Sequence, residues 1–286
     1  MMQRHNLILP IIIQHGKSLP MIEQPGKILL EHPVEGVAVL TFNRPQSRNA
    51  LDLESMHLFA ETIARLKGEP GLRVLILTGA GETAFCSGGD LVELSTYSSE
   101  SDASAMVTLM GDALLALERL PVPVIAAING YALGGGSEIA LACDMRIVDE
   151  DVSLGLVQIR LGLTPGWGAG QRLLRAVGYA RAMDLLLRGH VMHAPEVEVL
   201  GLANRIVERG SALPQALRVA RHIAESPPDV VRGIKVLLQA GVSQPYETAL
   251  QTERDIFPSL WAAEPHLQAV ADFLNRRKPH NSESDD

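Results

Sequence analysis

The sequence predicts an α/β fold, because short β-branched runs alternate with segments of helical periodicity and two glycine-rich corners each follow a strand-like run. Residues 37–42, 74–78, 124–128 and 145–148 read as strands. The run at 124–128 reads as a buried strand, and 74–78 is strand-like. Helices are predicted near 53–66, 103–119 and 138–143. The clearest carries Met106, Leu109, Met110, Ala113, Leu114 and Leu117 on one face of a 3.6-residue period and is closed by Pro121. With 286 residues and 47% hydrophobic content the chain can bury one sizeable core, so one main domain plus a smaller helical part is expected.

Strand–helix alternation alone suits a doubly wound nucleotide-binding fold equally well. The glycines discriminate. A dinucleotide site wants G-x-G-x-x-G after the first strand and an acidic residue about twenty positions on. Here the first predicted strand leads into Asn43-Arg44-Pro45, and the glycine-rich corners follow later strands.

The first corner to carry chemistry is Asn129-Gly130-Tyr131-Ala132-Leu133-Gly134-Gly135-Gly136-Ser137-Glu138. Its glycines fall where a helix begins and backbone N–H groups lack intrahelical partners, which attracts negative charge. Three glycines let a ligand atom approach the main chain without meeting a Cβ, and Glu138 lies about one helical turn beyond Gly135. An isolated triplet would be read as a tight turn only. A second corner, Phe85-Cys86-Ser87-Gly88-Gly89-Asp90-Leu91, also follows a strand-like run, and donors from two loops are what an oxyanion hole requires.

These segments together resemble the crotonase superfamily, the enoyl-CoA hydratase/isomerase family. The similarity begins at Val37-Ala38-Val39-Leu40-Thr41-Phe42-Asn43-Arg44-Pro45 with Asn49-Ala50-Leu51 and runs through 84–91 and 123–144. It continues in Leu161-Gly162-Leu163-Thr164-Pro165-Gly166-Trp167-Gly168 with Gln171-Arg172-Leu173 and ends at Phe273-Leu274-Asn275-Arg276-Arg277-Lys278-Pro279. The resemblance implies a spiral of strand–strand–helix turns over residues 21–225, a carboxy-terminal helical oligomerisation region over 226–286, and a homotrimer or dimer of trimers. It implies an acyl-CoA thioester substrate, with coenzyme A part of that substrate and no separate cofactor. Carried over residue by residue, it makes Ser87 and Gly135 the backbone oxyanion donors. Ser87, Gly88, Gly89 and Asp90 would line the thioester and pantetheine path, with Arg48, Ala50 and Gly134 also binding substrate. Glu138 matches the first catalytic glutamate of a hydratase; where the second is expected, twenty residues on, the chain has Gln158.

That departure bears on the reaction. Hydration needs a water deprotonated on one side and a proton delivered to the α-carbon, and an amide has no exchangeable proton for either task near neutral pH. Decarboxylation of a malonyl-type thioester needs an enolate stabiliser and one proton donor. Ser226-Pro227-Pro228-Asp229-Val230-Val231-Arg232, Glu253-Arg254-Asp255-Ile256-Phe257, Trp261 and Pro165-Gly166-Trp167 resemble the ethylmalonyl-CoA decarboxylase branch, although residues of these types also serve helix packing. Decarboxylation is therefore the expected reaction, with hydration and double-bond isomerisation as alternatives and a non-catalytic or RNA-binding relative as the alternative of another class.

A formal net charge of −8 argues against broad nucleic-acid binding. Arg172, Arg175, Arg181 and Arg188 form the one basic cluster, read as a solvated face or an intersubunit contact. Cys86 and Cys143 are too few for a disulfide framework, so a reducing, cytoplasmic setting is expected and both are read as small buried residues. The nine histidines show no paired ligand spacing, and no metal site is expected. The apolar run at 7–13 is short and broken by Pro10, so neither a signal peptide nor a membrane span is expected, and residues 1–20 read as an extension that precedes the core pattern. Deleting residues 1–20 is expected to leave activity and oligomer size unchanged; a truncated protein that aggregates or changes elution volume on gel filtration would contradict this.

Overall fold

The computed structural model describes residues 26–276. The extension read at 1–20 and the end of the family-like segment at 277–279 lie outside them. The chain starts with β1 (Ile28–Val34) and β2 (Val37–Phe42), followed by α1 (Leu53–Leu66), β3 (Val74–Gly79), β4 (Ala84–Cys86), a one-turn α2 (Leu91–Leu94) and α3 (Glu100–Glu118). Then come β5 (Val124–Ile128), β6 (Tyr131–Leu133), α4 (Gly135–Ala142), β7 (Met145–Asp149) and β8 (Ser153–Gly155). Next are α5 (Ala169–Val177), α6 (Tyr179–Arg188), β9 (Met192–His193), α7 (Ala194–Val199), β10 (Arg205–Val207) and α8 (Ala212–Ala224). Three helices close the described chain: α9 (Pro228–Ser243), α10 (Tyr246–Trp261) and α11 (Glu264–Arg276).

Successive turns of the chain place one strand in each of two sheets. The larger has the order β1-β2-β3-β5-β7-β10 and the smaller β4-β6-β8-β9. β3 and β4, β5 and β6, and β7 and β8 thus form pairs divided between the sheets, the strand–strand–helix spiral expected from the sequence. In the larger sheet every pairing from β2 to β10 is parallel and β1 runs antiparallel on the edge, while in the smaller sheet β9 pairs antiparallel with β8.

Period-two alternation explains how the central strands bury both faces. Ala38, Leu40, Phe42, Leu75, Leu77, Ala126 and Ile128 point into the main core with α1, α3 and α4. Val37, Val39, Val74, Ile76, Ile125 and Ala127 point to the other side, where Ala212, Ala216 and Ala220 of α8 meet them. Alanines at every fourth position leave that helix face flat enough to lie close on the sheet. On α3, Met110, Ala113, Leu114 and Leu117 are buried, and Met106 and Leu109 pack at the margin of the same core.

Three expectations need correction. β1 was not predicted: it is a half-exposed edge strand whose Glu31, His32 and Pro33 break any apolar alternation. α4 starts at Gly135, not Glu138, because the glycines themselves form its first turn. The arginine cluster is a solvated face only in part: Arg175, Arg181 and Arg188 are exposed, and Arg172 is the exception. Arg172 is largely buried and pairs with Glu118 at 3.0 Å, Arg175 reaches the same carboxylate at 3.6 Å, and Arg188 pairs with Asp184 one turn earlier.

Of the helices after residue 226, α9 is tied to the core by polar contacts. Buried Lys235 donates to the Val122 carbonyl at 2.9 Å and to Asp144 at 2.7 Å, while Asp144 also accepts the N–H of Val124, the first residue of β5. Gln239 donates to the Glu118 carbonyl at 2.6 Å. Lys235→Met keeps the apolar stem and removes the ammonium, leaving Asp144 without its cation. The expected loss is about 2–3 kcal/mol by urea unfolding, below the full value for a buried pair because Asp144 is partly exposed.

Candidate active site

β4 delivers the first corner. Beyond it, Leu51 forms a parallel bridge with Gly89: the Leu51 N–H donates to the Gly88 carbonyl and the Asp90 N–H donates to the Leu51 carbonyl, both at 2.8 Å. Because the groups on either side of Gly89 are spent on Leu51, Gly89's own N–H and C=O point the other way, toward the side on which β4 pairs with β6. Ser87 is different. Its N–H donates to the Arg48 carbonyl at 3.1 Å, so the expected oxyanion donor at Ser87 is already occupied. The Gly88 N–H faces the Cys86 sulfur at 3.4 Å.

β6 delivers the second corner. Gly134 caps α4 with φ of 52°, in the left-handed region, and its N–H donates to the Gly155 carbonyl at 2.8 Å. Gly135 opens the helix, where an N–H has no intrahelical acceptor. The two corners abut: a Cβ on Gly88 would lie 3.0 Å from the Gly135 nitrogen, and one on Gly136 would collide with the Cys86 carbonyl. Side chains are excluded by this approach, which brings the main chains of both corners together. Ser137, which the sequence reading passed over, fixes the second corner from below: its buried Oγ lies 2.5 Å from the Ala132 carbonyl and accepts the Gly155 N–H at 3.0 Å.

One turn into α4, Glu138 is almost fully buried, at 2% exposure. Four donors converge on its carboxylate: the N–H groups of Trp167 at 2.8 Å, Ala169 at 3.1 Å and Gly166 at 3.3 Å, and Nε2 of Gln158 at 2.9 Å. Burial raises the Glu138 pKa above the ordinary carboxylate value; the four hydrogen bonds oppose that rise and do not cancel it. Glu138 and Gln158, twenty residues apart, are therefore in direct contact. The other amide atom of Gln158, Oε1, is buried and has no partner among the described residues.

The remaining predicted residues divide. Arg48, left-handed at φ of 53°, is exposed, with its guanidinium carbon 5.5 Å from the Tyr131 ring centre, so its charge is available at the rim. Ala50 is buried and its carbonyl accepts from Arg44 at 2.7 Å. The Asp90 carboxylate pairs with Arg44 at 2.9 Å and accepts the Val92 N–H at the start of α2, so it shapes the corner and is not free for a ligand. Both cysteines are buried and their thiols are pushed up to about 12 by burial, which leaves them protonated at neutral pH. Among the described residues no group of three or more His, Cys, Asp and Glu side chains could hold a metal ion, and no helix is long and apolar enough to cross a membrane.

A sequence profile of the enoyl-CoA hydratase/isomerase family matches residues 33–284. The chain is 35% identical over 242 residues to the short-chain-enoyl-CoA hydratase of Clostridium acetobutylicum, covering 85% of this chain and 92% of that one. It is also 35% identical over 249 residues to the ethylmalonyl-CoA decarboxylase of Gallus gallus, covering 86% and 83% respectively. The crystal structure of an enoyl-CoA hydratase from Bacillus anthracis superimposes with a TM-score of 0.84 at 35% identity, over 89% of this chain and 98% of that one. Equal identity to a hydratase and to a decarboxylase leaves the choice of reaction to the site residues.

Two substitutions test the geometry. Gly135→Ala places a methyl group against the Trp167 ring, so binding of a CoA ester and turnover are expected to fall together. Glu138→Gln keeps one acceptor oxygen but turns an NH2 group toward N–H donors. We expect kcat to drop by ~10²–10⁴ while CoA-ester affinity stays within a few-fold, read by steady-state kinetics and calorimetry; an unchanged kcat would reduce Glu138 to a positioning residue.

Proposed function

The chain belongs to the enoyl-CoA hydratase/isomerase family, the crotonase superfamily, and is an acyl-CoA enzyme; on that premise we propose that its native reaction is decarboxylation of a short malonyl-type CoA ester. The observation that carries the proposal is the Gln158–Glu138 contact at 2.9 Å: one carboxylate and one amide stand where hydration chemistry wants two carboxylates.

In this reading the thioester oxygen accepts hydrogen bonds from the N–H groups of Gly135 and Gly89, with Gly89 taking the role expected of Ser87. The bond between the α-carbon and the substrate carboxylate breaks, carbon dioxide leaves, and the electron pair moves into the thioester enolate, whose oxygen carries the new charge between the two donors. No base is needed. Glu138, acting as the acid, then delivers a proton to the α-carbon and regains one from solvent. Gln158 orients that carboxyl group, Gly134 and Gly88 leave room for the thioester, and exposed Arg48 is placed to meet the phosphates of coenzyme A.

Hydration is the second reading, and one observation favours it. The unpartnered Oε1 of Gln158 can accept a hydrogen bond from a water molecule beside Glu138. Such a water would be held but not deprotonated by the amide, so a hydratase working here would depend on Glu138 alone.

We also propose a homotrimer or dimer of trimers, supported by exposed Phe257, Trp261, Leu267 and Leu274 on the last two helices, with residues 226–286 as the assembling region. A reducing, cytoplasmic setting is part of the same reading, supported by two buried free thiols.

Wild-type protein is expected to release carbon dioxide from methylmalonyl- or ethylmalonyl-CoA and to hydrate crotonyl-CoA poorly. Because Glu138 acts as an acid, kcat should fall as pH rises through its raised pKa, and that limb should vanish in Glu138→Gln. Gln158→Glu is expected to gain measurable crotonyl-CoA hydration and to slow decarboxylation, since a second negative charge faces the substrate carboxylate. Efficient hydration by the unaltered protein without carbon dioxide release would overturn the proposal.

A further inference from the structure

We propose that the indole of Trp167 is the wall that ends the acyl site close to the thioester and confines this enzyme to short acyl groups. The six-membered ring lies over the bare Cα of Gly135: a Cβ there would collide with Cζ3 and stand 3.0 Å from Cε3. The ring thus occupies the space beside one of the two N–H groups assigned to the thioester oxygen. Trp167 is itself buried, at 6% exposure.

The indole is held in place from both ends of its own peptide unit. The Trp167 N–H donates to Glu138 at 2.8 Å and its carbonyl accepts from Nη1 of Arg172 at 2.9 Å. Arg172 is anchored in turn by Glu118 on α3 at 3.0 Å. With the Trp167 backbone fixed on both sides, a longer acyl chain could displace the ring only by turning the side chain about its own bonds. The bond to Glu138 separates Trp167 from an ordinary core aromatic, since the residue that limits the chain also positions the proton donor.

Beyond the ring there is room. Trp167 also lines a cavity of about 440 Å³ with mixed walls, Val107, Leu115 and Val242 apolar and Glu118, Arg172 and Arg175 charged. The indole therefore stands as a partition between the Gly135 corner and a space that could take several methylene groups. Each methylene that finds apolar cover raises affinity by about fourfold, so opening the partition should be visible in chain-length preference.

The inference rests on the acyl-CoA site proposed above but not on which reaction occurs there, so its test uses esters that do not react. Butyryl-CoA and octanoyl-CoA carry neither an α-carboxylate nor a double bond, and their binding is measured by calorimetry. For the wild type, octanoyl-CoA is expected to bind no more tightly than butyryl-CoA. In Trp167→Ala and in the milder Trp167→Leu, which keeps the core filled should the alanine variant not fold, the octanoyl/butyryl affinity ratio is expected to rise at least about tenfold. A ratio unchanged in the leucine variant, or a wild type that already prefers octanoyl-CoA, overturns the role of Trp167. Failure of the wild type to bind either ester overturns the site assignment itself, which separates the two ideas.

Discussion

The structure around the site depends on the seating of one buried carboxylate. Glu138 accepts three backbone N–H groups from the segment 166–169 and one side-chain amide from Gln158, and these donors come from two chain segments far from α4 in sequence. Without the carboxylate, those buried N–H groups would lack an acceptor, at about 1–3 kcal/mol for each group left unsatisfied. The segment 166–169 in turn sets the Trp167 ring and the start of α5. Charge, loop conformation and pocket shape at this site therefore share one origin.

Around that anchor, function is carried mostly by main chain. The spiral sets β4 and β6 side by side in the smaller sheet, and their carboxy-terminal ends deliver Gly88–Gly89 and Gly134–Gly135 to the same place. In the reaction proposed above, such backbone N–H groups would be useful donors because the folded sheet fixes them before any charge develops. The cost is a sequence constraint. Gly88 and Gly134 have left-handed φ values of 98° and 52°, and Gly136 touches the Cys86 carbonyl so closely that no side chain fits.

How much of this was legible depended on whether the determining force was local. β2 and β5 run over the predicted residues, and β3 and β7 exceed the prediction by one residue, because buried parallel strands write their periodicity directly into the chain. β1 was illegible because an edge strand needs no apolar face to pair. At the site, the residue types announced two glycine corners and the Glu138–Gln158 pair, but not which N–H is spare. Ser87 was the expected donor, and the Arg48 carbonyl that occupies its N–H and the Leu51 bridge that turns Gly89 are both contacts between distant segments. The same holds for Arg172, whose burial follows from Glu118 on another helix, and for Asp90, whose carboxylate is committed to Arg44. Trp167 stood within a recognised motif, yet its role follows from the ring lying on Gly135, which no spacing rule encodes.

The amide at position 158 also alters the electrostatics of the acid. Two carboxylates at this separation could not both ionise in a buried site without strong repulsion, and one would hold its proton at the expense of the other. With Gln158 there is no second charge, so the Glu138 pKa is set by burial, which raises it, against four hydrogen bonds that favour the anion. Because the balance is upward, Glu138 contributes stability that is fully present below the ordinary carboxylate pKa and is lost as pH rises through its higher folded-state value. The folded protein near neutrality thus carries a carboxyl group whose proton affinity exceeds that of the same group in the unfolded chain. The Gln158 amide orients the carboxyl group through a hydrogen bond while adding no charge beside it. The residue that breaks the two-glutamate pattern thereby removes the charge coupling that a second carboxylate at this distance would bring.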